Sequence, residues 1–143
     1  MNEFKTVLAF DFGLKRIGVA VGQSITQTAK PLPLLPAENG APKWEQVKQL
    51  IEHWQPQLLV VGVPVHMDGT EQDLTRFSKR FGNRLNGRFR LPIEWVDERL
   101  TSYEAELMLD DLGIEPTDKK IGVDSVSAML ILEQWFRERQ NPA

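Results

Sequence analysis

Cysteine is missing from this chain altogether. That absence excludes a disulfide framework, a thiol nucleophile and a Cys-ligated zinc together, and it suits a reducing cytosol. Histidine is scarce, with only His53 and His66. His53 falls on a helical pattern as an ordinary surface residue. His66 follows an apolar run in a loop, where functional residues are often found, but it has no second histidine at ligand spacing for zinc. No apolar run approaches the roughly 20 residues that cross a bilayer, and the start Met1 to Thr6 lacks the basic-then-apolar pattern of a secretion signal. The expectation is a cytoplasmic protein with no membrane partner. Net positive charge is also lacking: the formal balance of −3 argues against a wholesale basic surface.

What the chain does have is a soluble composition, with 41% hydrophobic and 26% charged residues over 143 positions. That length suits one domain over residues 1–143 with a single sizeable core and no staples. Its charge is unevenly spread. Arg76, Lys79, Arg80, Arg84, Arg88 and Arg90 follow one another with no acid among them, whereas Glu94 to Asp118 is rich in carboxylates. A basic face beside an acidic pocket suits a metal-dependent enzyme acting on a polyanion, and the plainer alternative is a solvated helix face.

The elements follow from periodicity. Val7 to Phe12 and Ile17 to Gly22 are apolar and β-prone, and the short link between them predicts a tight hairpin. Ser24 to Pro36, with its prolines, predicts an edge-type third strand, and Glu38 to Pro42 a linker. Trp44, Val47, Leu50, Ile51 and Trp54 mark a core-facing helix that stops before Pro56. Leu58 to Val63 is a continuous apolar run, expected to be a strand buried on both faces. A loop over 64–70 leads to a helix whose stripe is Leu74, Phe77, Phe81 and Leu85, with Thr70 as N-cap. Leu91 to Asp97 predicts a short strand with Ile93, Trp95 and Asp97 on one face and Glu94, Val96 and Glu98 on the other. Thr101 to Glu104 has capping-box spacing and opens a helix that ends at Gly113. The last helix spans about Asp124 to Arg139 and buries Val126, Met129, Leu130 and Phe136. This order predicts an α/β protein with a ribonuclease H-like mixed sheet: an antiparallel three-stranded start, then βαβ crossovers, with helices on both faces. The actin-like ATPase fold begins the same way, but 143 residues supply only one of its two lobes.

Acidic residues fall at element ends. Asp11 lies in an apolar strand, where a carboxylate is costly without a cationic or hydrogen-bonding partner. Asp97 and Glu98 end another strand, and Asp124 starts the last helix. Converging carboxylates could hold two Mg²⁺ ions about 3.5–4 Å apart for phosphodiester hydrolysis, because Mg²⁺ prefers hard oxygen ligands. Each also has a duller reading: Asp11 capping a turn, Asp97 and Glu98 pairing with Arg99, and Asp124 as an N-cap.

Four motifs stand in order: Asp11-Phe-Gly-Leu-Lys-Arg-Ile-Gly-Val-Ala20, Val60-Val-Gly-Val-Pro-Val-His-Met-Asp-Gly-Thr-Glu71, Asp97-Glu-Arg-Leu-Thr-Ser102, and Val123-Asp-Ser-Val-Ser-Ala128. Together they closely resemble the YqgF/RuvX family of ribonuclease H-like proteins over nearly the whole chain. The resemblance implies a nuclease that processes the 5′ end of precursor 16S ribosomal RNA, while some members of the wider family resemble Holliday-junction resolvases. It also implies catalytic metal ligands at Asp11, at Asp97 or Glu98, and at Asp124, with Mg²⁺ or Mn²⁺ as the ion. Lys15, Arg16, His66 and Thr70 would border the site and contact phosphate, and Arg99 would touch substrate or support the ligands. Two details depart from the family pattern: the placing of Lys119, Lys120 and Gly122 before Asp124, and His66 where asparagine is common.

The resulting expectation is a Mg²⁺-dependent endonuclease in ribosome biogenesis, with Arg76 and Arg80 holding the nucleic-acid backbone. Precursor ribosomal RNA is the favoured partner and branched DNA the second, with the pre-ribosomal particle as a further partner and a monomer or homodimer as the unit. The alternatives are a junction resolvase, which needs two active sites in a dimer, and a non-catalytic RNA or ribosome-assembly binding module, which would show salt-dependent binding without cleavage.

Overall fold

The apolar runs on either side of Gly13 to Arg16 do fold back on each other. The computed structural model describes residues 6–64, 73–98 and 123–140. In it β1 (Thr6–Asp11) and β2 (Arg16–Gln23) pair antiparallel. The chain then turns through Ser24 to Gln27, where Gln27 takes a left-handed φ of 55° and its N–H donates to the Gln23 carbonyl at 2.8 Å. The third strand, β3 (Thr28–Glu38), therefore starts later than the sequence pattern suggested and runs further. The expected linker reverses at Asn39 and Gly40, both with positive φ, and pairs Ala41 and Pro42 with the end of β3 as a two-residue β4.

Helix α1 (Trp44–Trp54) ends where Gln55 goes left-handed, its N–H bonding the Ile51 carbonyl, and Pro56 cannot extend the helix. β5 (Leu58–Pro64) pairs parallel with β1; α2 (Asp73–Phe89) crosses over, and β6 (Ile93–Glu98) pairs parallel with β5. The last described element is α3 (Val123–Gln140). The sheet order is β4-β3-β2-β1-β5-β6, the antiparallel start and parallel continuation expected of a ribonuclease H-like sheet. The loop over 65–70, the helix expected from Thr101 to Gly113 and the polar stretch before Gly122 lie outside the described residues. Among the described residues no helix is long and apolar enough to cross a membrane.

Strand alternation divides the core in two. Val7, Ala9, Ala20, Leu58, Val60 and Val96 pack under α3, against Val126, Met129, Ile131, Leu132, Trp135 and Phe136. Leu8, Phe10, Phe12, Ile17, Leu59 and Val61 face the other way, toward α1 and α2. That second layer centres on Phe81, whose ring lies 5.7 Å from Phe10, 5.5 Å from Phe12 and 6.0 Å from Trp44 between centroids. One expectation fails here. Phe77 is 42% exposed, whereas Leu74, Phe81 and Leu85 of the expected stripe face this layer and Thr75 and Ser78 are buried beside them. The helix approaches β6 closely at Gly82, where any Cβ would overlap the indole of Trp95.

Candidate functional site

The site begins with register. Asp11, the last residue of β1, lies opposite Gly18 of β2 and beside Gly62 of β5. By alternation it shares the face of Val7 and Ala9, the face covered by α3. Neither glycine has room for a side chain. A Cβ on Gly18 would overlap the Asp124 carbonyl oxygen and stand 2.7 Å from the Ser125 nitrogen, and one on Gly62 would overlap Ile131 Cδ1. The backbone at the start of α3 therefore rests directly on β2, next to the strand position that Asp11 faces.

A second contact fixes that docking. The ladder between β2 and β3 shifts register between Ile17 and Val19, and the Val19 N–H donates to the Ser125 hydroxyl at 3.2 Å. Ser125 is fully buried. A buried hydroxyl with a backbone partner is a specific constraint, because sliding α3 would leave both groups unsatisfied. Asp124, one residue earlier, keeps a 37% exposed side chain, and its Oδ2 lies 3.3 Å from Arg16 Nε. The Asp11 backbone, by ladder register, and the Asp124 carbonyl, by close approach, thus both meet Gly18, and the Asp124 carboxylate pairs with the Arg16 guanidinium.

Of the Asp97 and Glu98 pair, backbone parity separates the two. Glu94 accepts a hydrogen bond from Trp135 Nε1 at 2.9 Å, and Val96 packs under α3. The even positions of β6 therefore belong to the α3 face. Trp95 lies against Gly82 of α2, so the odd positions, exposed Asp97 among them, belong to the other. Position 98 continues the even series and shares the face of Asp11, roughly 12 Å away, two strand spacings across and two residues along. The Glu98 side chain lies outside the described residues. Among those described, no three acidic or histidine side chains come together as a ligand set.

The remaining expected residues divide by place. Lys15 sits exposed in the hairpin link and Arg16 exposed at the start of β2, and the link is tied to the β3–β4 corner by Ala37 N–H to the Lys15 carbonyl and Gly40 N–H to the Leu14 carbonyl, each 2.8 Å. They lie at the same strand end as Asp11. Arg76 and Arg80 are exposed on α2, where with Lys79, Asn83 and Arg84 they line a shallow depression of about 520 Å³. Because α2 follows β5, its first turns lie toward the end of the sheet that carries Asp11, though in the opposite layer. Arg88, further along, stacks over Trp44 at 4.3 Å and is part of the packing. His66, Thr70 and Arg99 lie outside the described residues.

Gly18, Gly62 and Ser125 were not picked out as site-forming by the sequence reading. The signal available was the small residues at alternate positions of one strand, Gly18, Ala20 and Gly22, which mark a sheet face that another backbone can approach closely.

Carboxylates from the ends of a central strand and of a late helix, on a mixed sheet with this order, invite comparison with known proteins. Solved structures share the fold at low identity. Thermus thermophilus RuvC in complex with Holliday junction substrate matches with a TM-score of 0.58 at 16% identity, over 95% of this chain and 96% of that one. The fowlpox virus resolvase, solved with substrate Holliday junction DNA, gives 0.58 at 10% identity, over 95% and 99%. Much nearer relatives carry the name "Putative pre-16S rRNA nuclease". One from Glaesserella parasuis serovar 5 is 57% identical over 94% of this chain and 98% of its own. Another from Saccharophagus degradans is 52% identical over 94% of each. Residues 5–138 match the family described as RuvX: Holliday junction resolvase, and with all four sequence motifs inside that span the chain belongs to the RuvX family.

Proposed function

We infer that this protein is a metal-dependent endonuclease that cleaves precursor 16S ribosomal RNA near its 5′ end during ribosome biogenesis. The observation that carries the reading is the convergence of Asp11 and Asp124 on Gly18, with position 98 on the same face of the sheet. The names of relatives at 57% and 52% identity support the choice of RNA.

The donor set fits divalent ions of the Mg²⁺ class. It consists of carboxylate oxygens, the hard ligands such ions prefer, and the pairing of Asp124 with Arg16 displays a site that already takes positive charge. Asp11, Asp124 and Glu98 would hold the ions, which when bound supply an activated water and neutralise the charge that builds on the leaving oxygen. The chain's own residues do the rest. The Ser125 bond and the Gly18 contact hold the Asp124 backbone against β2. Lys15 and Arg16 present cations at the rim, where a phosphodiester would lie. Asp97, on the opposite face, sits apart from the ligands and serves the outer surface.

A cleavage assay tests this reading. Wild type and Asp11→Asn are compared on a precursor ribosomal RNA leader with Mg²⁺, Mn²⁺ or EDTA. Asp11→Asn should lose at least about a hundredfold in cleavage, since it weakens electrostatic stabilisation worth several kcal/mol. Its melting temperature without metal should be equal or higher, because one repelling charge is gone. Retained cleavage by the variant would remove Asp11 from the ligand set.

A second reading, a Holliday-junction resolvase, is favoured by the fold shared with two resolvases solved with junction DNA. Symmetric cutting of a four-way DNA junction in preference to the RNA leader, by a dimer in solution, would establish it. Binding of the leader with cleavage under no metal condition would instead favour an assembly factor acting on the pre-ribosomal particle.

A further inference from the structure

Helix α2 exposes the residue that its amphipathic pattern should bury. Phe77 is 42% exposed, while Thr75 at 1% and Ser78 at 0% lie inside. Burying two hydroxyl residues while leaving a phenyl ring wet is the reverse of what apolar burial favours. Ser78 offsets its share by donating to the Leu74 carbonyl at 3.0 Å. Phe77 gains nothing comparable. On the same helix Gly82 lies directly against the Trp95 indole, so α2 sits close on β6 there while Phe77 stays exposed.

Cations flank Phe77 on the helix surface from Arg76 onward, while Asp73 precedes it by four residues. Arg76 adjoins it, Arg80 lies one turn on and Arg84 two turns on, and these arginines line the shallow depression of about 520 Å³. No acidic residue interrupts the run from Arg76 to Arg90. At 1.5 Å per residue the three arginines span about 12 Å of helix. Such a charge density suits a polyanion rather than a protein surface of mixed sign. Arginines hold phosphates whatever the sequence. An aromatic ring beside a phosphate track adds something a duplex cannot use, because paired bases are already stacked, whereas an unpaired base can lie on the ring.

We propose that Phe77, flanked by Arg76, Arg80 and Arg84, is a base-stacking platform that docks a single-stranded stretch of nucleic acid on α2. This rests on the nuclease reading and narrows its substrate to one with an unpaired segment beside the cleavage site. The platform lies in the layer opposite Asp11, so the strand it holds would pass around the end of the sheet to reach the carboxylates.

The test is binding by fluorescence anisotropy in EDTA, so that nothing is cleaved. The probes are a short non-self-complementary single-stranded RNA and the same RNA annealed to its complement. Phe77→Ala should weaken single-strand binding by about 5- to 150-fold, the range of one lost base stack, and leave duplex binding within about twofold. Its dependence of affinity on salt should be unchanged, because no phosphate contact is lost. Phe77→Trp should restore single-strand binding. Arg80→Gln should weaken both probes and lower the salt slope by about one. Equal losses of Phe77→Ala on both probes, no loss on the single strand, or no rescue by tryptophan would each overturn the platform. If wild type binds both probes and ignores the Phe77 substitution, only this inference falls; if wild type binds neither, the nucleic-acid reading falls with it.

Discussion

On the α3 side of the sheet the strands present Gly18, Ala20, Gly22 and Gly62, and the helix comes down until its backbone meets Gly18 and the side chains of Ile131, Leu132 and Phe136 fill the space over Gly62 and Gly22. On the α1 and α2 side they present Phe10, Phe12, Ile17 and Leu59, met by Trp44 and Phe81. The first arrangement fixes position by backbone contact and one buried hydrogen bond, with little freedom to adjust. The second fills a layer with large rings, which hold by area and can shift rotamers to absorb a change. The carboxylates are on the side where backbone rests on backbone, and the arginines on the side where side chains fill the space. Placement of metal ligands to a fraction of an ångström needs the former; electrostatic holding of a flexible polyanion does not.

The sharpest way to break this comparison is to exchange the roles of Asp97 and Glu98. Parity puts position 98 on the carboxylate side, so Glu98→Gln should cost at least about a hundredfold in cleavage. Asp97→Asn should remain within a few fold in the same assay. The reverse outcome would mean that the end of β6 twists by one residue. Next in size is Gly18→Ala, which drives a methyl into the Asp124 carbonyl oxygen. It should cost roughly 1–3 kcal/mol in denaturant unfolding, the usual penalty of overpacking, and lower cleavage by displacing Asp124. Gly87→Ala marks the opposite extreme: nothing lies within 4 Å of its Cβ position, so alanine in that helix should add about 0.5–1 kcal/mol of stability without touching activity.

The smallest expected effect concerns Arg16. Its pairing with Asp124 joins side chains that are 65% and 37% exposed, so it is worth at most about 1 kcal/mol. Arg16→Gln should leave the melting temperature nearly unchanged. By freeing the carboxylate it should tighten Mn²⁺ binding, measured by calorimetric titration, by no more than about fivefold. Weaker binding would show that Arg16 orients Asp124 for the ion rather than competing with it.

Much of this molecule was legible in order along the chain. The β1–β2 hairpin, the twice-buried β5, α1 and the start of α3 follow from local periodicity, because each buries a face whose pattern is complete within the element. The rotation of α2 was mostly legible too, since Leu74, Phe81 and Leu85 of its expected stripe face this layer, and Phe77 alone does not. Similarly, the alternation of Asp97 and Glu98 was readable, but which face α3 covers was not, because that is a fact about the sheet as a whole. The roles of Gly18 and Ser125 depend on each other across the chain and neither announces itself alone. Asn39 and Gly40 looked like linker because a two-residue strand carries no periodicity at all.

The bond from Val19 to Ser125 joins residues 106 positions apart. It closes a very long loop, and contacts of that kind form late, after the entropy of the intervening chain has been overcome. Asp11 lies on the first strand of the sheet and Asp124 on the last described helix, so this contact brings together two distant parts of the chain. A nuclease whose proposed ligands are joined in this way has a complete cutting centre only once that late contact has closed, so its activity is tied to the last stage of its folding.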